Sequence, residues 1–129
     1  MELDTMVEIT AALIHSETGY STDDISTTNL EYLIDNSINY VNLMAGTSIS
    51  NLSGAVAGSK TVTVTADQAA VLKPLINLLL MAYMDAGQPS TVQGLSVQTT
   101  LQTPRYAAMM KLLDEGLLRL RRHIAFERV

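Results

Sequence analysis

The sequence contains no cysteine, no tryptophan, one phenylalanine and three prolines. Without cysteine there is neither a disulfide framework nor a thiolate metal site, so stability has to come from core packing. Basic residues are missing from positions 1–59, which carry eight acids. Positions 60–129 carry eight bases against five acids, so the two halves hold −8 and +3 and sum to the formal charge of −5. An acidic N-terminus without a basic region argues against a secretory signal and for a protein that stays in the cytoplasm where it is made. A long apolar run is also missing. The most apolar stretch, 69–86, is broken by Lys73, Pro74 and Asn77, and it falls short of the roughly 20 apolar residues that a membrane span requires.

What remains is a chain of 129 residues, 47% hydrophobic and 16% charged. That is too apolar for disorder and suits one domain, 1–129, which buries about two-thirds of its surface on folding. The expected fold class is mostly α, a small four-helix bundle with a minor two-stranded β element. Leu3, Met6, Val7, Leu13 and Ile14 place a first helix over 2–15. Residues 16–27, rich in Ser, Thr, Asp and Gly, form a loop. Thr28 and Glu31 match a capping box and start a second helix. Its stripe runs through Leu30, Ile34, Val41 and Met44, widened by Leu33, Ile38 and Tyr40, and Gly46 ends it.

Positions 47–59 are small and polar without periodicity, which predicts a flexible surface loop. The stretch K-T-V-T-V-T over 60–65 alternates as a half-buried strand, with a second extended segment at 93–102 as its possible partner. Thr65 and Gln68 form another capping box and open a helix to about residue 86, closed by Gly87 and Pro89. That helix is apolar on nearly every side, so it belongs in the centre. Pro74 within it should free the carbonyl of Ala70 and bend it. Thr103 and Pro104 open a last helix, whose seam is Tyr106, Met110, Leu113, Leu117, Leu120 and Ile124, ahead of a C-terminal tail at about 123–129.

Catalytic and cofactor chemistry find little support. The run from Gly54 to Thr61 has Ser59 between glycine and lysine and leads into a strand, so it fails as a phosphate-binding loop. His15 and His123 stand at helix ends without metal-ligand spacing and suit helix C-terminal capping. Asp23 and Asp24 lack EF-hand spacing and suit loop solvation. No nucleophile elbow occurs, and a nucleophile would lack its usual base. No catalytic residue, cofactor or metal is expected. Met81, Met84, Met109 and Met110 read as core filler ahead of a promiscuous groove.

The candidate partner-binding residues lie at the C-terminus: Arg119, Arg121, Arg122, Phe126 and Arg128. Arginines around a lone aromatic suit a protein interface. An acidic chain is a poor nucleic-acid binder, and the same arginines also suit a solvated helix end or a chain terminus tucked back onto the last helix.

The order of elements carries a resemblance. A short first helix, an Asp-rich turn, the helix Asn29-Leu-Glu-Tyr-Leu-Ile-Asp-Asn-Ser-Ile-Asn-Tyr40, a variable loop, a core helix ending Leu80-Met-Ala-Tyr83, an extended Gly94-Leu-Ser-Val97 and a final helix resemble the head–tail connector (adaptor) proteins of tailed phages. The resemblance spans about residues 9–122 and implies a structural virion protein. It implies a homo-oligomeric ring in the neck, between the portal protein and a tail-side neck protein. DNA would pass through that ring without sequence-specific binding. The alternative is a small cytoplasmic helical interaction module, a regulator or assembly chaperone, that binds one partner through its last helix. The chain departs from the family in the uncharged loop at 47–59, which lacks basic residues to face DNA.

Overall fold

The computed structural model describes residues 6–56, 58–85 and 107–127, with the last helix's side chains described over 111–122. The described chain is mostly α, with a two-stranded antiparallel sheet and, among the described residues, four helices. The order is β1 (Met6–Thr10), α1 (Ala11–Thr18), α2 (Thr27–Ala45), β2 (Thr61–Thr65), α3 (Ala66–Asp85) and α4 (Ala107–Glu127).

The first expected helix is therefore overturned over Met6–Thr10, which is a strand. Val7, Ile9 and Thr10 are β-branched, and pairing with β2 puts Val7 opposite Val64 and Ile9 opposite Val62 on the core side. Met6, Glu8, Thr61, Thr63 and Thr65 take the other face. This long-range pairing outweighs a weak helical stripe. The partner of β2 is thus β1, and residues 86–106, with the extended segment, Gly87, Pro89, Thr103 and Pro104, lie outside the described residues.

Helix α1 starts at Thr10, whose hydroxyl accepts from the amide of Leu13 at 3.0 Å. The cap of α2 differs from expectation. Ser26 takes the role, accepting from the Asn29 amide at 3.1 Å, and Glu31 turns inward instead of back onto the helix start. Gly46 ends α2 in the left-handed region, at φ 74, where a Cβ would be strained. The Thr65–Gln68 box forms in both directions, with the Gln68 side chain accepting from the Thr65 amide at 3.0 Å and the Thr65 hydroxyl from the Gln68 amide at 3.2 Å. Helix α3 runs through Pro74.

Core residues come from every element: Ile9, Ile14, Ile25, Leu30, Leu33, Ile34 and Ile38 meet Leu72, Leu75, Ile76, Leu78 and Leu79, all essentially inaccessible. Helix α3 is buried over most of its circumference, but not all round as its composition suggests: Ala70, Pro74 and Asn77, four and three residues apart, form an exposed stripe. Leu113, Leu117 and Leu120 supply the described part of the α4 seam. Met44, Met81 and Met84 pack as partly buried filler, and Met109 and Met110 lie outside the described side chains.

Two segments have local structure that their composition does not announce. The 47–59 stretch is anchored: Ile49 and Leu52 are buried, the Leu52 amide donates to Asp35 Oδ1 at 2.9 Å, and Ser53 exchanges two 2.9 Å backbone bonds with Thr61. Small polar residues hide this because the holding groups, Asn42, Asp35 and Glu31, all belong to α2. The expected tail at 123–129 is helical as far as Glu127.

Candidate functional site

Helix α4 closes the core on one side and presents its other side outward. The 3.6-residue period sets Leu113, Leu117 and Leu120 against the core and leaves Lys111, Glu115, Arg119 and Arg122 on the opposite face, where all four are exposed. Leu112 and Leu118 flank that face and are 69% and 44% exposed. Leu43, near the C-terminal end of α2, is 72% exposed.

Arg121 behaves differently from its neighbours. Its Nε donates to the carbonyl oxygen of Met44 in the last turn of α2, where free carbonyls and the helix dipole favour a cation. Asp114, two turns earlier on α4, lies on the same side. Both act on Tyr40 of α2, whose phenol is pushed above its ordinary value of 10.0 by burial and by Asp114, against the opposing pull of Arg121. Arg121 therefore joins α4 to α2, and Asp114 lies near enough to disfavour the Tyr40 phenolate. Of the five expected partner-binding residues, Arg119 and Arg122 are exposed on the outward face, and Arg121 is exposed but engaged. Phe126 falls within α4 with its side chain outside the described set, and Arg128 lies outside the described residues.

Acidic groups collect at the other end of α2. Asp23 and Asp24 sit in the turn before Ser26, with the Asp24 carboxylate accepting from the Ser21 amide at 2.9 Å. Glu17 ends α1 and pairs with Lys73 at 3.1 Å. This turn and the Met44–Arg121 contact lie at opposite ends of the 19-residue α2, which is about 28 Å long. His15 Nδ1 meets the carbonyl of Tyr20 at 2.8 Å, which ties α1 to this turn.

A third feature went unread in the sequence. A cleft of about 370 Å³ is lined by Ser48, Ile49, Ser50, Asn51, Ser53, Thr61, Val62, Thr63 and Gln68. None of these carries a charge. Its walls come from the anchored segment and β2, and no local pattern announces a cleft made by two segments pinned together from elsewhere. The exposed leucines were visible as Leu112 and Leu118 falling off the α4 seam.

Among the described residues no group of three or more His, Asp or Glu side chains could hold a metal ion, and no described helix is long and apolar enough to cross a membrane. No family model matches the chain, and no curated protein or solved structure matches it.

Proposed function

We propose that the chain is a structural virion protein of the head–tail connector type, whose helices work as one bundle repeated around a ring in the neck. One observation carries the reading beyond the resemblance of element order: the acidic turn of Asp23 and Asp24 and the outward arginines of α4 are associated with opposite ends of α2. Unlike charges on different faces of one subunit favour a heterologous, head-to-tail contact between copies, and such contacts close into rings when the rotation permits. The exposed Leu112 and Leu118 give that contact apolar area. The portal and a tail-side neck protein are the proposed neighbours, and DNA is the proposed content of the channel, held by no sequence-specific contact.

Electron microscopy of the native particle tests the reading. The expected result is a symmetric set of copies around the head–tail axis, each with the Arg119 and Arg122 face toward its neighbour or the portal. A single copy on one partner would overturn it in favour of an interaction module acting through α4.

A further inference from the structure

The outward side of α2 carries no charge. Both acids of the helix are turned aside to hold backbone amides of the segment that follows, Glu31 those of Gly58 and Lys60 and Asp35 that of Leu52. From Asn36 to Ser59 the sequence has no Asp, Glu, Lys or Arg. What α2 shows to solvent is Tyr32, 39% exposed, and Leu43, 72% exposed, with the half-buried Asn36 and the exposed Asn39 between them. A solvated helix side is usually charged or polar throughout, whereas loss of charge around a large aromatic marks the centre of protein contacts. Tyr32 and Leu43 are eleven residues apart, close to three turns, so they stand on one line about 16 Å from each other. The pattern reads alike in both directions. Laid antiparallel on its own copy, about a midpoint between Ser37 and Ile38, α2 sets Tyr32 opposite the partner's Leu43 and Asn36 opposite the partner's Asn39. The ends are complementary as well. Asp23 and Asp24 precede the start of α2, and the Arg121 contact with Met44 brings Arg119 and Arg122 beside its other end, so antiparallel pairing turns each acidic end toward the other chain's arginines.

We infer that the outward side of α2 is an interaction surface, and that its occupant is the same side of a second copy, paired antiparallel about a two-fold axis. A two-fold contact uses one patch on both chains, so the patch has to complement itself. This one does so in its apolar groups, its amides and its flanking charges. A charged occupant, such as the outward face of α4, would strip water from Lys111 and Glu115 against groups that carry no charge. A near-aligned crossing of about 20° keeps both Tyr32–Leu43 contacts. Three helical turns make a small interface, so a weak pair of micromolar or poorer affinity is expected. The inference goes beyond the proposed ring and does not rest on it. A two-fold contact stops at two chains, and because it draws on the same arginines, a paired chain is withheld from the head-to-tail contact.

The protein has no cysteine of its own, so introduced thiols report the contact directly. An Asn36→Cys chain mixed with an Asn39→Cys chain under mild oxidation should give a disulfide between the two. Leu43→Cys alone should stay unlinked, because its two sulfurs would stand about 16 Å apart along the paired helices. Sedimentation of the full chain over a concentration series should show a monomer–dimer equilibrium. Leu43→Glu sets a charge against the partner's Tyr32 and should weaken that equilibrium at least tenfold, with the melt unchanged because Leu43 is exposed. Should that variant melt early, Asn36→Arg at the centre of the face serves in its place with the same expectation. No dimer at high concentration, an unaltered dimer in both variants, or Leu43→Cys linking to itself in preference to the mixed pair would overturn the inference. The ring is read separately, on the native particle. A ring there without this pair in solution removes the pairing alone, and a pair in solution with a single copy on the particle removes the ring alone.

Discussion

Gly116 of α4 lies directly against Val71 of α3: a Cβ built at position 116 would stand 2.8 Å from Val71 Cγ2. The glycine is what lets the two helices approach, because Val71 is buried and its branched side chain has one favoured rotamer in a helix. In an exposed helix, glycine to alanine gains about 1 kcal/mol. Here overpacking of about 1 to 3 kcal/mol opposes that gain. Gly116→Ala should therefore lower stability in chemical denaturation, and Val71→Ala should cost less in the Gly116→Ala background than in the native chain, because it relieves the clash. Independent, additive effects in the double variant would contradict the close approach.

The buried carboxylate of Glu31 should matter more than a surface acid. It accepts from the Gly58 amide at 2.9 Å and from the Lys60 amide at 3.1 Å, which sets the turn that leads into β2. Glu31→Ala should cost roughly 1 to 3 kcal/mol through lost charged-acceptor bonds. Glu31→Gln keeps one accepting oxygen and should fall between the two. Hydrogen exchange at Gly58 and Lys60 should accelerate in the same order, and unchanged protection would refute the assignment.

Glu31 also shows what a sequence can and cannot disclose. Its place three residues after Thr28 fits a capping box, whereas its actual partners are 27 and 29 residues away and leave no local trace. Patterns that depend on neighbours in sequence were readable: the Thr65–Gln68 box, the Gly46 stop, the mostly buried α3 and the Leu113, Leu117 and Leu120 part of the α4 seam. What depended on distant pairing was not, namely the strand at Met6–Thr10, the anchoring of 47–59 and the cleft beside Thr63. The sequence shows Arg119, Arg121 and Arg122 as one basic cluster, whereas the separation of Arg121 from the other two needed the position of Met44.

Tyr40 predicts an alkaline limit to stability. Burial, assisted by Asp114, holds its phenol proton more tightly in the folded chain than in the unfolded one, despite Arg121. A group whose pKa is raised by folding contributes fully below its unfolded value and loses that contribution as pH rises through the folded one. Stability should thus be insensitive to Tyr40 up to about pH 10 and decline above it. Tyr40→Phe should flatten that limb of the denaturation profile. Asp114→Asn should lower the Tyr40 titration midpoint seen by phenolate absorbance, and Arg121→Ala should raise it.

The final prediction concerns where the 47–59 segment tolerates change. Asn42 holds its start: the side-chain Nδ2 donates to the Ile49 carbonyl at 2.8 Å, and Oδ1 accepts from the Thr47 hydroxyl at 2.7 Å and the Ile49 amide at 2.9 Å. Beyond Ser53 the chain turns outward, and Val56 is 64% exposed. Two glycines inserted after Ala55 lengthen a surface turn and should cost only a few tenths of a kcal/mol in closure entropy. The same insertion after Ile49 separates the Asn42 contacts from the buried Leu52 and its bond to Asp35, and should cost about 2 kcal/mol or more in lost bonds and burial. Asn42→Ala should reproduce part of that loss and expose the Ile49 amide to exchange. Thermal melts rank the variants, and equal tolerance at both insertion points would mean that the segment is held by something other than Asn42 and Leu52.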